Sequence, residues 1–406
     1  MIKIAIIGAG PAGLLAAIAA GDRAEVFESN LYSGRKLLLS GSGQCNFTND
    51  LPLEDFLLNC RESRNFLKPA LYEFDNHAFI DLLNSNGCPT LVREDGKVFP
   101  ASFHSADVRD TLLRLALGKG AKFHYGKKLD TIRLSPDGDY QLSFSDGDIL
   151  TARKLILANG GMSYPETGSD GSGFRLAKAL KHKITPPKPA LCGIELKNHT
   201  VFSSCSGISL KNVHFCYCGP NGRIETYGDI LFTHKGVSGP VVLNNSYHLH
   251  AGSALGIRFV EDADSKIPEL LKLHAKKNLA NLLKHLDLPE NLIDAILIHL
   301  KLDPGLQASQ LKAADRNLLI AYLTTAVFQV KSLDGFDTAM ATAGGIELSR
   351  VRPQTMESRV RHGLYFAGEI LDYNLPTGGY NIQAAASTGW LSGKSAAKAL
   401  EEQAQD

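Results

Sequence analysis

The sequence predicts an α/β protein: a Rossmann-like dinucleotide-binding domain, split by an inserted β-barrel-like plus helical region. Three observations carry this. The chain opens with a strand, a glycine turn and a helix. Two further strand-to-glycine segments lie far downstream, near residues 158 and 368. Between about 191 and 334 the pattern changes to short alternating runs and then to helical spacing.

Ile4-Ala5-Ile6-Ile7 is a short β-branched run of the kind a buried parallel strand needs. Gly8-Ala9-Gly10-Pro11-Ala12-Gly13 follows, then an Ala/Leu helix, then Ala24-Glu25-Val26-Phe27 ending at Glu28. This is the spacing of the dinucleotide fingerprint. Gly8 makes the tight turn, Gly10 lets a pyrophosphate approach the backbone, and Gly13 allows close helix–strand packing. Ala12 lies in the first turn of a helix whose free N–H groups face the phosphates. Glu28 is placed to accept hydrogen bonds from ribose hydroxyls.

The second segment is Lys154-Leu155-Ile156-Leu157-Ala158-Asn159-Gly160-Gly161, where backbone at Ala158 and Gly160 can pass close under a cofactor. A polar loop, Met162 to Gly171, leads to a helix from about Phe174 to Leu180. The third is Gly363-Leu364-Tyr365-Phe366-Ala367-Gly368-Glu369. It puts a carboxylate where the ribityl chain and pyrophosphate of FAD pass. Pro376-Thr377-Gly378-Gly379-Tyr380-Asn381-Ile382-Gln383 then opens a small-residue helix reaching about Leu400. The positive end of that helix suits the charge of a reduced flavin. An NAD-only enzyme has no use for this last segment, so FAD is the expected cofactor. No second GxGxxG unit occurs, and NAD(P)H is therefore expected only as a transient reductant docking over the flavin.

Composition narrows the classes. Basic and acidic residues number 43 and 42, so no global field points to nucleic acid or anionic membrane. No apolar run approaches a membrane span. The seven cysteines form no CxxC pair, which excludes a zinc site or dithiol reading and implies a reducing, cytoplasmic compartment.

The stretch Ser33-Gly34-Arg35-Lys36-Leu37-Leu38-Leu39-Ser40-Gly41-Ser42-Gly43-Gln44-Cys45-Asn46-Phe47-Thr48-Asn49 resembles the signature of the BaiN-like, or aminoacetone-oxidase-like, bacterial FAD-dependent oxidoreductases. Asn159 to Pro165, Leu231 to Pro240, Thr342 to Ile346 and Gly363 to Gln383 match in the same order. The resemblance implies a two-dinucleotide-binding-type FAD domain at 1–190 and 335–406. The inserted antiparallel β domain would span 191–262 and the helical subdomain 263–334. It adds Gly41, Gly43, Asn46, Thr48, Gly368, Glu369, Gly379, Tyr380, Asn381 and Ile382 to the cofactor contacts. Arg35 and Lys36 are read either as phosphate contacts or as a solvated pair. Gln44 stands where the family pattern carries arginine, which removes a fixed positive charge beside Cys45.

Within the insertion, alternating segments run from Gly193 to Phe259, and Thr185-Pro186-Pro187-Lys188-Pro189 reads as a stiff break before them. A basic cluster (Lys272, His274, Lys276, Lys277, Lys284, His285) is read as a solvated face, with RNA contact as the other option. His234, between a strand and Gly236, is read either as an acid or base reaching across a domain cleft or as a structural histidine satisfied by backbone. Tyr164 and Tyr380 are each read as a flavin wall, a proton donor or ordinary packing; Cys45 attacks flavin, touches substrate or packs. Three functions are open: NAD(P)H-driven reduction of an activated C=C bond in a small molecule or RNA uridine, amine oxidation, or FAD binding without catalysis.

Overall fold

The computed structural model describes residues 1–219 and 222–403, which form two compact units. The first comprises Met1–Ala190 with the segment from Phe336 onward; the second is Leu191–Gly335.

In the first unit, β1 (Ile2–Ile7) is central, parallel to β2 (Ala24–Glu28) on one side and to strand Ile149–Leu157 on the other. Strand Lys122–Tyr125 extends the sheet beyond β2. Ile149–Leu157 forks. Its C-terminal half takes Leu364–Phe366 in parallel, and its N-terminal half takes Tyr140–Phe144 antiparallel. Successive β1 residues enter two different cores: Ile4 and Ile6 join one, Ala5 and Ile7 the other. Burial on both faces explains why β1 reads as a continuous apolar run.

Helix α1 (Pro11–Ala20) returns over the sheet, and the C-terminal helix Tyr380–Gln403 lies against it. A Cβ on Gly389 or Gly393 would strike the carbonyl oxygen of Ala12 or Ala16, so these glycines let the helices touch backbone to backbone. That contact joins the two ends of the chain in one layer.

The proline-rich segment is a correction. Ile184–Ala190 is a strand, paired antiparallel with Ala341–Ile346 in a two-stranded sheet. Pro186 and Pro187 fall where the register shifts between Thr185 and Lys188, so neither is required to donate to the ladder. Ala190 pairs with Ala341, so the chain leaves this unit and re-enters it at neighbouring positions.

The second unit holds a closed six-stranded barrel: Ile194–Leu196, Gly236–Ser238, Gly222–Phe232, Ser209–Gly219, Ala254–Ile257 and Ala326–Leu333. Two runs expected from 207 to 217 form one strand that kinks between Leu210 and Val213. A short helix, Pro240–Asn245, follows strand Gly236–Ser238, and the remaining α-helices lie within Ala263–Thr324, between strands Ala254–Ile257 and Ala326–Leu333. Ala326–Leu333, placed in the helical subdomain by sequence, closes the barrel against Ala254–Ile257 and Ile194–Leu196. The β and helical parts accordingly share one core, in which Val330 and Phe328 pack with Leu292, Ile296 and Leu319. Among the described residues no helix is long and apolar enough to cross a membrane.

Candidate cofactor site

At the β1–α1 turn the three glycines differ in what surrounds them. Gly8 has φ +104°, and a Cβ there would lie 2.5 Å from the Ala158 carbonyl oxygen. A Cβ on Gly13 would strike the Gly8 carbonyl. Gly10 has ordinary extended backbone and nothing within 4 Å of its Cβ position. Two glycines are thus fixed by packing, and the third borders open space at the N-terminus of α1. No side chain caps that helix.

Glu28 is buried at the end of β2. Its Oε2 accepts from Ala9 N at 2.8 Å; its Oε1 accepts from Asn30 N at 2.8 Å and Asn30 Nδ2 at 2.7 Å. Asn30 Nδ2 also donates to the Thr167 carbonyl, and its Oδ1 accepts from Arg35 Nη1 at 3.0 Å. The acid is therefore locked to the glycine turn, and Arg35 is tied to it through Asn30.

The second cluster gathers four distant segments. Lys36 Nζ donates to Glu369 Oε2 at 2.6 Å and to Ser163 Oγ. Glu369 Oε1 accepts from Thr342 N at 2.8 Å and Ser163 Oγ at 3.3 Å. Thr342 Oγ1 accepts from Met162 N at 2.8 Å and Ser163 N at 3.2 Å. The Lys36 ammonium, read from sequence as a phosphate contact or a solvated charge, has a carboxylate partner in Glu369. Gly368 stands next to this cluster, with its Cβ position 2.9 Å from Ala12 Cβ and its N–H on Thr388 Oγ1 at 3.0 Å.

A third group forms around Gly379, at φ +93°. A Cβ there would strike Thr48 backbone. Asn46, with its amide oriented to suit its neighbours, donates to Thr48 O at 2.9 Å and accepts from Gly379 N at 3.2 Å. Thr48 Oγ1 donates to Gln383 Oε1 at 2.7 Å, joining the 33–49 signature to the C-terminal helix. Asn381 spends its side chain on its own loop, accepting from Leu375 N and donating to Leu375 O. Gly41 packs near Asn46 N, while Gly43 and Ile382 are partly exposed. Gly160 sits over Ser169 Oγ.

Two side chains that the sequence left open between chemistry and packing are found packed. Cys45 is fully buried, and burial pushes its thiol up to about 12, which disfavours the thiolate that an attack on flavin needs. The Tyr380 ring packs on Phe56 at 4.7 Å between centroids, and burial raises its phenol to about 12. Gln44 also has an unforeseen neighbour. Its Oε1 accepts from Arg93 Nη2 at 2.9 Å, and Arg93 lies 4.0 Å over the Phe99 ring. A guanidinium is present beside position 44, supplied by the turn that follows strand Thr90–Val92.

Tyr164 is half-buried in the loop beside Ser163, in left-handed backbone at φ 53°, and donates its N–H to Phe336 O at 2.8 Å. That conformation is strained for an aromatic residue. His234 belongs to the second unit, exposed at the turn between strands Gly222–Phe232 and Gly236–Ser238. Thr233 N bonds Gly236 O at 2.9 Å and closes that turn; buried His199 faces Thr233 O. Among the described residues no group of three or more His, Cys, Asp or Glu could hold a metal ion.

The residues of the first unit fit FAD. Gly10 offers the open approach a pyrophosphate needs, beside helix amides without a cap. Buried polar atoms also remain without partners among the described residues: Asn159 Oδ1 and both amide atoms of Asn374. Such atoms are costly unless something bonds them. Sequence reasoning assigned no role to Asn30, Ser163, Thr342 or Asn374. Thr342 and Ser163 lie inside recognisable motifs; Asn374 carried no signal.

The family description "HI0933-like protein Rossmann domain" matches residues 2–395. The chain belongs to this family. A 3-dehydro-bile acid delta(4,6)-reductase of Clostridium scindens is 32% identical to this family member over 98% of the chain and 100% of its own length. A ribosomal RNA dihydrouridine synthase of Escherichia coli is 30% identical over 95% of each. Among solved structures, a flavocytochrome c3 fumarate reductase superposes with a TM-score of 0.53 at 15% identity, covering 98% of this chain and 78% of its own. A 3-ketosteroid-delta4-(5alpha)-dehydrogenase from Rhodococcus jostii gives 0.50 at 15%, covering 97% and 96%. The fold is the Rossmann-type fold of flavoenzymes, and this family member is an FAD-dependent oxidoreductase.

Proposed function

We propose that this protein reduces a carbon–carbon double bond conjugated to a carbonyl, with electrons taken from NAD(P)H. The observation that carries the reading is what two relatives of about equal similarity share. A delta(4,6)-reductase of a 3-dehydro steroid and a dihydrouridine synthase both, by name, saturate a ring C=C. Their substrates differ in size and class, so the chemistry is the common element.

Bound FAD supplies the hydride donor. The chain's own residues do the rest. Gly10, Ala12 and Gly13 offer backbone N–H groups to the phosphates, and Glu28 accepts from the ribose. Glu369, held by Lys36 and Thr342, meets the ribityl region, while Asn159 and Asn374 present unpaired amide atoms. Tyr164 is the candidate to hold a proton for the substrate in this unit. Strained backbone persists where the surroundings over-determine it, commonly at functional sites.

The test is anaerobic. Flavin bleaching by NADH and NADPH is followed first, then reoxidation by a 3-oxo-4,6-diene steroid and, separately, by uridine-containing ribosomal RNA. Reoxidation with one mole of saturated product per flavin supports the proposal, and the acceptor that works names the substrate class. Reduced flavin that only oxygen reoxidises refutes it.

A further inference from the structure

The Lys36–Glu369 pair is a sheltered ionic contact in the first unit that the sequence did not foresee. It joins residues 333 positions apart at 2.6 Å, and the two side chains are only 26% and 17% exposed. Among the described residues, the hydrogen-bond and ion-pair partners given for Glu369 are Lys36, Ser163 and Thr342, of which Lys36 alone is charged. Ser163 donates from the loop after strand Ile149–Leu157, and Thr342 N donates from strand Ala341–Ile346. Gly161 lies with its Cβ position 3.2 Å from the Glu369 carboxyl carbon. On its own segment the buried Tyr373 phenol is near enough that Glu369 adds to the upward push that burial gives it. Lys36 is thus the counter-charge to Glu369 within this cluster.

FAD brings a dianionic pyrophosphate to a unit that already carries the buried carboxylate of Glu28 and the half-buried one of Glu369. Glu28 is satisfied by amide donors; Glu369 has an ammonium. We propose that Lys36 is a positioning residue whose role is to neutralise and aim Glu369, so that an anionic dinucleotide can settle beside a carboxylate. Removing one member of a sheltered ion pair leaves the other charge uncompensated, which is worse than removing both. The Ser163 hydroxyl, bonded to both partners, holds the pair in one geometry and links it to the Met162–Thr342 contact. This inference rests on FAD binding alone. It is independent of which double bond is reduced, so its failure and that of the proposed reaction are told apart.

The experiment measures FAD dissociation from the full-length holoprotein by flavin fluorescence, in five proteins: wild type, Lys36→Met, Glu369→Gln, the double variant and Lys36→Arg. Lys36→Met is expected to weaken FAD by about tenfold or more, the scale of an unscreened unit charge near the ligand. Adding Glu369→Gln to Lys36→Met is expected to recover most of that loss, because the stranded charge is gone. Lys36→Arg is expected to stay near wild type. A double variant as weak as the sum of the two single losses would overturn the proposal, as would Lys36→Met binding like wild type. Should Lys36→Met not fold, Lys36→Gln with and without Glu369→Gln gives the same comparison, and the same two results support or overturn the proposal.

Discussion

Gly10 and Gly8 stand two residues apart in one turn, yet the structure gives them opposite fates on substitution by alanine. At Gly8 the backbone is at φ +104° and the new Cβ would lie 2.5 Å from the Ala158 carbonyl oxygen. The left-handed conformation costs about 1–2 kcal/mol and overpacking against backbone about 1–3 more. Together they approach half the stability of an ordinary domain, about 5–15 kcal/mol. At Gly10, φ is −76° and nothing lies within 4 Å. Alanine there gains about 0.4–1 kcal/mol by stiffening the unfolded chain and loses a comparable amount as a poor helix cap. The fold should be indifferent to within about 1 kcal/mol. The ligand should not be, because the methyl group occupies the pyrophosphate's approach. Losing one or two charge-assisted N–H bonds at about 1.5–3 kcal/mol each weakens FAD by roughly tenfold to a few ten-thousandfold. Chemical unfolding of the FAD-free protein and flavin-fluorescence titration measure the two quantities separately. Gly10→Ala that destabilises the FAD-free fold as much as Gly8→Ala, or that binds FAD normally, would refute the division between packing and ligand glycines.

Further outcomes follow from individual side chains. Cys45, pushed up to about 12 by burial, is roughly one part in ten thousand thiolate at pH 8; iodoacetamide should label exposed Cys218 in the folded protein and spare Cys45, as peptide mass spectrometry will show. Gln44→Arg should cost about 0.5–1 kcal/mol through like-charge crowding with Arg93, and much less in an Arg93→Ala background; additive losses in unfolding midpoints would deny the contact. Tyr164→Phe and His234→Ala should each keep FAD and bleach with reductant, and the one that supplies the proton should slow acceptor turnover by about a hundredfold or more. Buried His182 is held down to about 4, first by burial. Ser358 Oγ, already accepting from two amides, must donate to its Nε2, which fixes a neutral ring. Because the unfolded chain takes the proton first, stability should fall as pH drops from about 6.5 towards 4, by up to about 3 kcal/mol. His182→Gln should flatten that slope in unfolding midpoints at pH 7 and 4.5.

Legibility in the sequence tracks distance along the chain. The β1–α1–β2 unit is contained in residues 2–28, so its strand, turn and acid are readable from composition and spacing. The barrel was partly readable, because alternation shows strands but not which ones close the ring. Ala326–Leu333 follows a helical stretch of more than sixty residues, and only its pairing with Ala254–Ile257 and Ile194–Leu196 shows where it belongs. The prolines at 186 and 187 read as a break because their local signal is real. The register shift at that point lets tertiary pairing override it.

The site shows the same division more sharply. Each segment's chemistry was legible, with carboxylates at Glu28 and Glu369 and a basic pair at Arg35-Lys36. Which charge meets which was not. Lys36 looked free for a phosphate because its partner lies 333 residues away, and Arg35 because Asn30 gave no sign of bridging it to Glu28. Position 44 makes the point in reverse. A motif compares one residue with its counterparts in sequence, and there glutamine reads as a lost positive charge. Folding compares it with what lies alongside, and there Arg93, reaching over Phe99, puts a guanidinium against the amide. A departure from a pattern is evidence of changed electrostatics only when no other element restores the charge at that place.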